Sequence, residues 1–373
     1  MYPIAKGNFD FRSRPYLDTA SYGLPPHSTV AAVAEALEAW RLGSARWSKD
    51  WDPAGDRCRP LAAQLLGAAP DEIALIPAVS VGVGVALSML SPGDEVLISE
   101  HEFTSMLFPL LVAEKRFDIK VRTVPFDELA AQVRSSTALV MTSHVRSNDG
   151  RVQDLGELSK AIHLVGGRIL VDATHSAGIM QIDATAMDLD VVVAAAYKHL
   201  LCPRGVALMR VGSDLLPALS PWAASWRSAA QPYDHFYGGD LSVLADTAAR
   251  LDVSLAWHGW VGAEQSLDFL CSVPSVDRES WCVGLATRLA DGFRIMPTGS
   301  SVIGVPVLDG DAARAALATA GIEASGRGSL IRLSFHLYNS VEDVDLAVGV
   351  LEPFIDYATN IDYATNIDYA TKS

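Results

Sequence analysis

The sequence predicts an α/β protein that has a large domain built on a mostly parallel sheet and a smaller α+β domain. Short apolar runs alternate with helical patterns from residue 71 to residue 210, and several runs are continuous in Val, Ile and Leu. Such strands are buried on both faces, as in parallel sheets covered by helices. After about residue 250 the pattern changes, which predicts the smaller domain.

The individual elements can be assigned in chain order. The segment HSTVAAVAEALEAWRLG predicts a helix with Ser28 as N-cap and Gly43 past its end. The strands predicted next are EIALIP, EVLIS, IKVRTVP, TALVMTS, RILVD, DVVVAAA and GVALMR. TSMLFPLLVAEKR and DLGELSKAIHLVGG have helical spacing between them. In the smaller domain, WVGAEQSLDFL and CVGLATRLADGF predict helices, and SVIGVPVL and LIRLSF predict strands.

These elements divide the chain into three parts. We predict a large domain over residues 16–250 and a small domain over residues 1–15 plus 251–354. Residues 355–373 contain three copies of IDYAT at a six-residue spacing. Solenoids need longer repeating units, so we expect this segment to be an added tail outside the fold.

Composition excludes several classes of protein. Half of the 373 residues are hydrophobic, yet no apolar run reaches the length of a membrane span, and the first residues lack the apolar core of a signal peptide. A net charge of −15 argues against nucleic acid as a partner. The four cysteines are scattered without a CxxC pair, which predicts reduced thiols in a cytoplasmic protein and no metal site. We therefore expect a small-molecule partner.

Two predicted strands end in residues of opposite charge. The apolar run that starts at Val191 leads to Lys198, and the run in GRILVDATHSAG ends in Asp172. A buried ammonium needs a partner, a shifted pKa or a covalent role, although a lysine that points to solvent is the simpler alternative. Ligands of open α/β sheets bind beyond the carboxyl ends of the strands. The two side chains are therefore predicted at one rim, either as a structural ion pair or as part of a site.

A third motif suggests an anion site. The segment IPAVSVGVGVALSML leads from a strand through Ser80, Gly82 and Gly84 into a helix. N–H groups at such a helix start bind anions, although small residues there can serve packing alone. It is not a dinucleotide fingerprint, because the third glycine and the acidic residue are absent. An anion cradle, a carboxylate and a lysine together suit pyridoxal 5′-phosphate, whose aldehyde forms a Schiff base with a lysine.

The motifs YLDTASYG, VDATHSAG, YKHLLCPRG and RLSFHLYNSVEDVD resemble the class V aminotransferase and cysteine desulfurase family, a group of fold-type I pyridoxal-phosphate enzymes. The resemblance covers about residues 16–351 and implies that fold and a homodimer. It implies that Lys198 forms the Schiff base and acts as general base, and that Asp172 pairs with the pyridinium nitrogen. His175 would bond the phenolic oxygen, together with Ser147. Arg332 would take the substrate α-carboxylate, for which a planar bidentate cation is suited.

The resemblance also implies further contacts. The cofactor phosphate would be held by Ser80, Val81 and Gly82, and by Tyr197, where desulfurases usually have histidine and the kynureninase branch has tyrosine. In EHEFTSMLFP the cofactor ring would stack on His101 or Phe103, which share one side of an extended segment; similarity to other branches favours Phe103. The substrate would meet two residues of the YLDTASYG motif, Ser21 and Tyr22.

The reaction is predicted from a missing residue. Desulfurases carry a cysteine shortly before the carboxylate-binding arginine, and ALATAGIEASGRGSLIRLS has none. Among the branches of the family, LDTASYGLPP, EHEFTSMLFP, SHVRSNDGRVQDL and ARLDVSLAWHGW resemble most the actinobacterial C–S lyase of ergothioneine biosynthesis. This implies β-elimination from hercynylcysteine sulfoxide to ergothioneine, pyruvate and ammonia. The alternatives are a class V aminotransferase, a kynureninase-like enzyme and a cofactor-binding protein without activity.

Aromatic residues in two segments offer a place for the trimethylammonium group of that substrate. A cation is attracted to the faces of aromatic rings, although most aromatic side chains are simply core. The candidates are Trp47, Trp51, Trp222, Trp226, Tyr233, Phe236 and Tyr237.

Overall fold

A computed structural model describes residues 2–5, 7–9 and 14–357 of the chain. The predicted tail lies outside the described residues from position 358 onward. Its first residue, Ile355, is buried in the small-domain core and pairs with Val307, and the N–H of Asp356 bonds the carbonyl of Pro306. The fold therefore extends at least two residues beyond the predicted limit at residue 354.

The large domain is built on one seven-stranded sheet in the order β1-β7-β6-β5-β4-β2-β3. Only β7 runs antiparallel to its neighbours, so the predicted mostly parallel sheet is confirmed. Each of the seven predicted runs forms one strand. The strands are β1 Ile73–Ile76, β2 Glu95–Ser99, β3 Lys120–Val124, β4 Thr137–Ser143, β5 Arg168–Asp172, β6 Val191–Ala195 and β7 Ala207–Val211.

Helices cover this sheet and complete the small domain. They are α1 His27–Leu42, α2 Trp47–Asp50, α3 Pro53–Leu66, α4 Val79–Ala86, α5 Thr104–Phe117, α6 Leu155–His163, α7 Trp257–Cys271, α8 Ser275–Phe293, α9 Gly310–Thr319 and α10 Val341–Leu351. Among the described residues, no helix is both long and apolar enough to span a bilayer.

The ends of α1 test one sequence prediction. The helix ends as expected at Gly43, which adopts φ 64°. It begins one residue early, because Pro26 has φ −60° and ψ 157° and occupies the N-cap position without a side-chain hydrogen bond. Ser28 therefore lies inside the first turn, and the prediction that it caps the helix is wrong.

The continuous apolar strands explain why both faces of the sheet are buried. In β6, Val191 and Val193 belong to the core under α4 and α5, whereas Val192 and Ala194 belong to the core on the opposite face. Successive side chains of a strand point to opposite faces, so an uninterrupted apolar run can be satisfied only between two helical layers.

The small domain has an antiparallel sheet in the order β8-β10-β9, made of β8 Val302–Pro306, β9 Ser325–Arg327 and β10 Leu330–Ser334. The short β9 was not predicted. Two segments pack against the domain to which they were not assigned. Asp18 pairs with Ser334 of the small sheet, and α7 packs against α1 and α3 of the large domain. The division at residue 250 stays a prediction.

Candidate active site

Lys198 and Asp172 lie at the same rim of the large sheet. Asp172 is the last residue of β5, and Lys198 follows the parallel neighbour β6 by three positions. Each side chain is 6% exposed. The simpler alternative for Lys198, a side chain in solvent, is therefore excluded.

The turn that carries Lys198 depends on a close backbone approach. Gly23 donates its N–H to the carbonyl of Tyr197 at 2.9 Å. A Cβ at Gly23 would lie 2.1 Å from the Lys198 carbonyl oxygen and 2.6 Å from Leu201 Cδ2. A side chain is therefore sterically excluded here, which explains the glycine in the YLDTASYG motif.

Burial controls the charges of this pair. Desolvation lowers the pKa of Lys198 to about 8, although the charge of Asp172 opposes the shift. Desolvation also raises the pKa of Asp172 to about 6, against a hydrogen bond that its Oδ1 accepts from the Thr174 N–H at 2.8 Å. Near neutral pH the site thus holds a carboxylate and an amine that loses its proton easily.

His175 connects Lys198 to the neighbouring loop. Its Nε2 lies 3.3 Å from Lys198 Nζ and 3.2 Å from Ser147 Oγ. Desolvation holds the pKa of His175 well below its ordinary value, so the ring is neutral. Its Nδ1 is buried and has no hydrogen-bond partner in the described protein. An unpaired buried nitrogen points to a group that the protein itself does not supply.

A cavity of about 320 Å³ surrounds these residues and is named here the inner chamber. Its walls also include Ser105, Ser143 and Arg204, and small or apolar residues at the start of α4, at the end of β6 and just before β7. It brings together most of the predicted cofactor residues: Ser80, Phe103, Ser147, Asp172, His175, Tyr197 and Lys198.

Two of the predicted phosphate residues, Val81 and Gly82, do not line the inner chamber. Val81 lines an apolar groove between α4 and α5. Gly82 faces the sheet, since a Cβ there would lie 2.7 Å from Ile76 Cδ1 and 2.9 Å from Val193 Cγ1. The glycine thus allows α4 to pack closely on the sheet, which is the alternative considered for this motif.

His101 and Phe103 do not share one side of an extended segment. His101 adopts φ 61°, a left-handed conformation that turns the chain. Phe103 lines the inner chamber, with its ring centroid 5.1 Å from Lys198 Nζ, whereas His101 does not. The premise of an extended segment is therefore wrong, although the preference for Phe103 agrees with its position.

A second cavity of about 530 Å³, the outer chamber, meets the inner one at Phe103, Ser147, Tyr197 and Lys198. Arg332 and Ser21 line it, as does His101, whereas Tyr22 is 53% exposed and packs against Tyr16 instead. Further lining residues are Ala20, Glu102, Thr104, Asn148, Ser325, Gly326, Arg327 and Leu330.

Arg332 is held by three separate segments of the chain. Its Nη2 donates to Ser21 Oγ at 2.9 Å, its Nη1 to the Ser147 carbonyl at 2.8 Å, and its Nε to Ser325 Oγ at 3.1 Å. Asp18 Oδ1 lies 3.5 Å from Nη2. Burial lowers the pKa of Arg332, and the Asp18 charge opposes this shift. The guanidinium is thus fixed in direction before any ligand arrives.

Sequence reasoning missed several polar residues of the chambers. The Glu102 carboxylate accepts 2.7 Å hydrogen bonds from the N–H and Oγ of Ser143 and from Ser99 Oγ. Arg204 lies over the Tyr197 ring at 4.8 Å. Glu102 follows the end of the predicted strand EVLIS, and Arg204 lies in the YKHLLCPRG motif; both signals could have found them.

The predicted aromatic wall is a packed cluster. Trp47 stacks on Trp257 with centroids 4.9 Å apart, and Trp226, Tyr233 and Phe236 pack around Trp47. Trp222 and Tyr237 are exposed. The residues that line the two chambers include none of the seven candidates, so these rings serve as core or surface.

Comparison with known proteins agrees with this geometry. The family described as aminotransferase class-V matches residues 16–275. An uncharacterized aminotransferase, YcbU of Bacillus subtilis, is 28% identical over 77% of this chain and 80% of its own length. A probable cysteine desulfurase of Methanothermobacter thermautotrophicus is 25% identical over 91% and 94%, and a kynureninase of Deinococcus radiodurans is 27% identical over 59% and 57%.

Solved structures share the fold. The cystine C–S lyase C-DES in complex with its reaction product cysteine persulfide superposes with a TM-score of 0.82 at 19% identity, covering 95% of this chain and 100% of that one. A C-DES mutant with glycine covalently linked to its pyridoxal-phosphate cofactor gives a TM-score of 0.83 at 20% identity, covering 92% and 97%. These likenesses establish the type I fold.

Proposed function

Because the chain belongs to the class V aminotransferase family, we propose that it is a pyridoxal-phosphate-dependent C–S β-lyase that acts on hercynylcysteine sulfoxide. The observation that carries the proposal concerns sulfur. None of the four cysteines lines the inner or the outer chamber, whereas Lys198 and Arg332 do. The site therefore suits cleavage of a C–S bond without transfer of sulfur to the protein.

The state of the cysteines supports the same reading. Cys58, Cys202 and Cys282 are buried, and desolvation raises the pKa of each thiol. Burial also raises the pKa of Cys271, to about 11. Because the thiolate is the nucleophile, these protonated thiols are poor sulfur acceptors.

The residues of the inner chamber fit the cofactor of this family, pyridoxal 5′-phosphate. Lys198 supplies an amine that loses its proton easily, Asp172 a carboxylate for the ring nitrogen, and the unpaired Nδ1 of His175 a free polar group. Ser80, at the start of α4, offers a hydroxyl at a helix N-terminus, where an anion is favoured. When bound, the cofactor supplies the electron sink that stabilises negative charge on the substrate α-carbon.

The chain's own residues then bind and orient the substrate. Arg332 takes the α-carboxylate, because its guanidinium is fixed at the wall of the outer chamber. Lys198 lies where the chambers meet and removes the α-proton; a pKa of about 8 leaves part of the amine neutral near pH 7.5. His175 accepts a hydrogen bond from Lys198 Nζ and so fixes its position.

Elimination breaks the bond between Cβ and sulfur. The sulfur of a sulfoxide leaves as a sulfenic acid, and the three-carbon fragment is hydrolysed to pyruvate and ammonia. Two equivalents of an external thiol then reduce the sulfenic acid to ergothioneine, with release of water and a disulfide. The candidates for the proton donor to the departing sulfur are Tyr22, His175 and Tyr338. Of these, His175 lines the inner chamber, whereas Tyr338 is buried against Thr19 and Tyr22 lies outside both chambers.

A kynureninase-like enzyme or an aminotransferase is the second candidate. Tyr197 precedes the lysine, as in the kynureninase branch, and lines both chambers. The kynureninase and aminotransferase relatives described above support this alternative equally at the level of the family.

Both candidates are tested on one preparation. Holoenzyme is incubated with hercynylcysteine sulfoxide and a thiol, and pyruvate and ergothioneine are quantified by mass spectrometry. We expect equal amounts of both products, which Lys198→Ala abolishes and the exposed control Lys160→Ala preserves. The second candidate would be established by two results together. No protein would form pyruvate, and the wild type would either release anthranilate from kynurenine or transfer an amino group to a keto acid.

The proposal also includes a homodimer, as the family resemblance implies, and a cytoplasmic location, as the cysteine pattern predicts. The free state of all four cysteines supports a reducing compartment. Analytical ultracentrifugation of the holoenzyme tests the dimer directly, and a monomer at micromolar concentration would contradict it.

A further inference from the structure

One face of the β9–β10 hairpin forms a wall of the outer chamber. Ser325 of β9 lies directly opposite Arg332 of β10 and accepts its Nε hydrogen bond. Residues two apart on a strand share a face, so Arg327 stands on the same face as Ser325, and Leu330 on the same face as Arg332. All four residues line the outer chamber. The wall therefore carries two arginines that are diagonal neighbours on adjacent strands, roughly 7–8 Å apart at the backbone.

The two arginines differ in their partners. Arg332 has Ser21, Ser147 and Asp18 around it. Arg327 is exposed, and its side chain makes no ion pair or hydrogen bond within the part of the chain that the structure describes. It also repels Arg332 electrostatically. The hairpin thus presents to the chamber a positive charge that none of the described residues neutralises.

The acidic groups near this wall are already engaged. Glu102, which lines the chamber, accepts hydrogen bonds from Ser143 and Ser99. Asp18 accepts a hydrogen bond from Ser21 Oγ at 2.9 Å and faces Arg332. Neither carboxylate is placed to pair with Arg327, so an anion that enters the chamber would find this guanidinium open.

The size of the chamber agrees with a long ligand. The outer chamber, at about 530 Å³, exceeds the inner chamber of about 320 Å³ that fits the cofactor. An amino acid as small as cysteine would leave most of this space to water. A substrate that extends from Arg332 past Arg327 would fill it.

We propose that Arg327 binds a second anionic group of the substrate and makes the enzyme selective for amino acids that carry a carboxylate at the far end of a long side chain. The inference rests on the proposed function, since it takes Arg332 as the site of the α-carboxylate. Hercynylcysteine sulfoxide belongs to this class, because its betaine moiety carries a second carboxylate.

The test uses two probes that differ at one end. S-(2-carboxyethyl)-L-cysteine sulfoxide carries the second carboxylate, and S-propyl-L-cysteine sulfoxide replaces it with a methyl group. Each is titrated into holoenzyme while the visible absorption of the bound cofactor is followed, which gives two dissociation constants. A charge-assisted hydrogen bond predicts that wild type prefers the acid by about 10-fold.

Three variants locate this preference. Arg327→Ala is expected to bring the ratio of the two constants close to one, and Arg327→Lys to keep part of it. Arg314→Ala removes a half-buried arginine of α9 that pairs with Asp311 and lies outside both chambers, and it should keep the wild-type ratio. A wild-type ratio of one, or a preference that persists in Arg327→Ala, overturns the inference.

Pyruvate measured in the same samples separates this inference from the proposed function. If the preference depends on Arg327 but neither probe yields pyruvate, the result supports the second anion site and refutes the lyase reaction. If both probes yield pyruvate and their dissociation constants are equal, the result supports the lyase reaction and refutes the second anion site.

Discussion

Replacing Lys198 by methionine should stabilise the cofactor-free protein. The pKa of Lys198 falls from its ordinary 10.5 to about 8 because the ammonium is desolvated. Each pKa unit corresponds to about 1.4 kcal/mol, so the buried charge costs about 3 kcal/mol at pH 7. Methionine keeps much of the length and removes the charge. Asp172 loses a favourable interaction in the variant, so we expect a net gain of about 1–3 kcal/mol.

The sign of the pH dependence provides a second readout. Between pH 8 and 10.5 the folded wild type binds fewer protons at Lys198 than the unfolded chain does. Its stability therefore rises with pH across this window, relative to the methionine variant, and the two proteins converge near pH 10.5. Below pH 8 the full difference is present.

The assay is urea denaturation of the cofactor-free proteins at pH 7 and at pH 10, followed by circular dichroism. Lys160→Met, at an exposed position on α6, is the matched control and should change the free energy of unfolding by less than about 0.5 kcal/mol. A Lys198→Met variant that is no more stable than wild type at pH 7, or a stability difference independent of pH, would refute the reasoning.

Three further predictions follow from contacts around the site. Gly23→Ala should destabilise the protein by about 1–3 kcal/mol and alter the visible spectrum of the bound cofactor, because the new Cβ displaces the Lys198 carbonyl. Thermal unfolding measures the stability and absorption measures the spectrum. An unchanged spectrum would show that the loop adapts. Arg332→Lys should raise KM about 10-fold or more through loss of the fixed guanidinium geometry, and an unchanged KM would place the α-carboxylate elsewhere. Trp47→Ala should cost about 3 kcal/mol of stability without changing KM, since its ring packs against other rings outside both chambers; a raised KM would return it to the substrate site.

The sheet was predictable because its strands are apolar at successive positions. RILVD ends in Asp172, and DVVVAAA is followed two residues later by Lys198. Because these two strands are parallel neighbours that reach the same rim, the Lys198–Asp172 arrangement followed from pattern and topology. The motif order then pointed to a family, which the match over residues 16–275 confirmed.

Features that depend on tertiary contacts were not predictable. The sequence around His101 does not predict its left-handed backbone conformation, because the connection from β2 to α5 determines this φ angle. Gly82 is needed because α4 packs closely against Ile76 and Val193 of the sheet. Val193 is far from Gly82 in the sequence, and nothing in the motif indicates the contact with Ile76. Likewise, the sequence could not show that Arg327 lacks an acidic partner, because this depends on Glu102 and Asp18 having other partners in the folded protein.

The pairing of the N-terminal segment with the small sheet limits how the protein can be recombined. Tyr16 pairs with Glu323, Asp18 pairs with Ser334, and Leu17 is buried in the small-domain core. A chimera that exchanged residues 275–357 with those of a relative would separate these partners and would leave Arg332 without Ser21. Exchange of substrate preference between relatives therefore requires a discontinuous graft in which residues 16–21 travel with the distant β9–β10 hairpin.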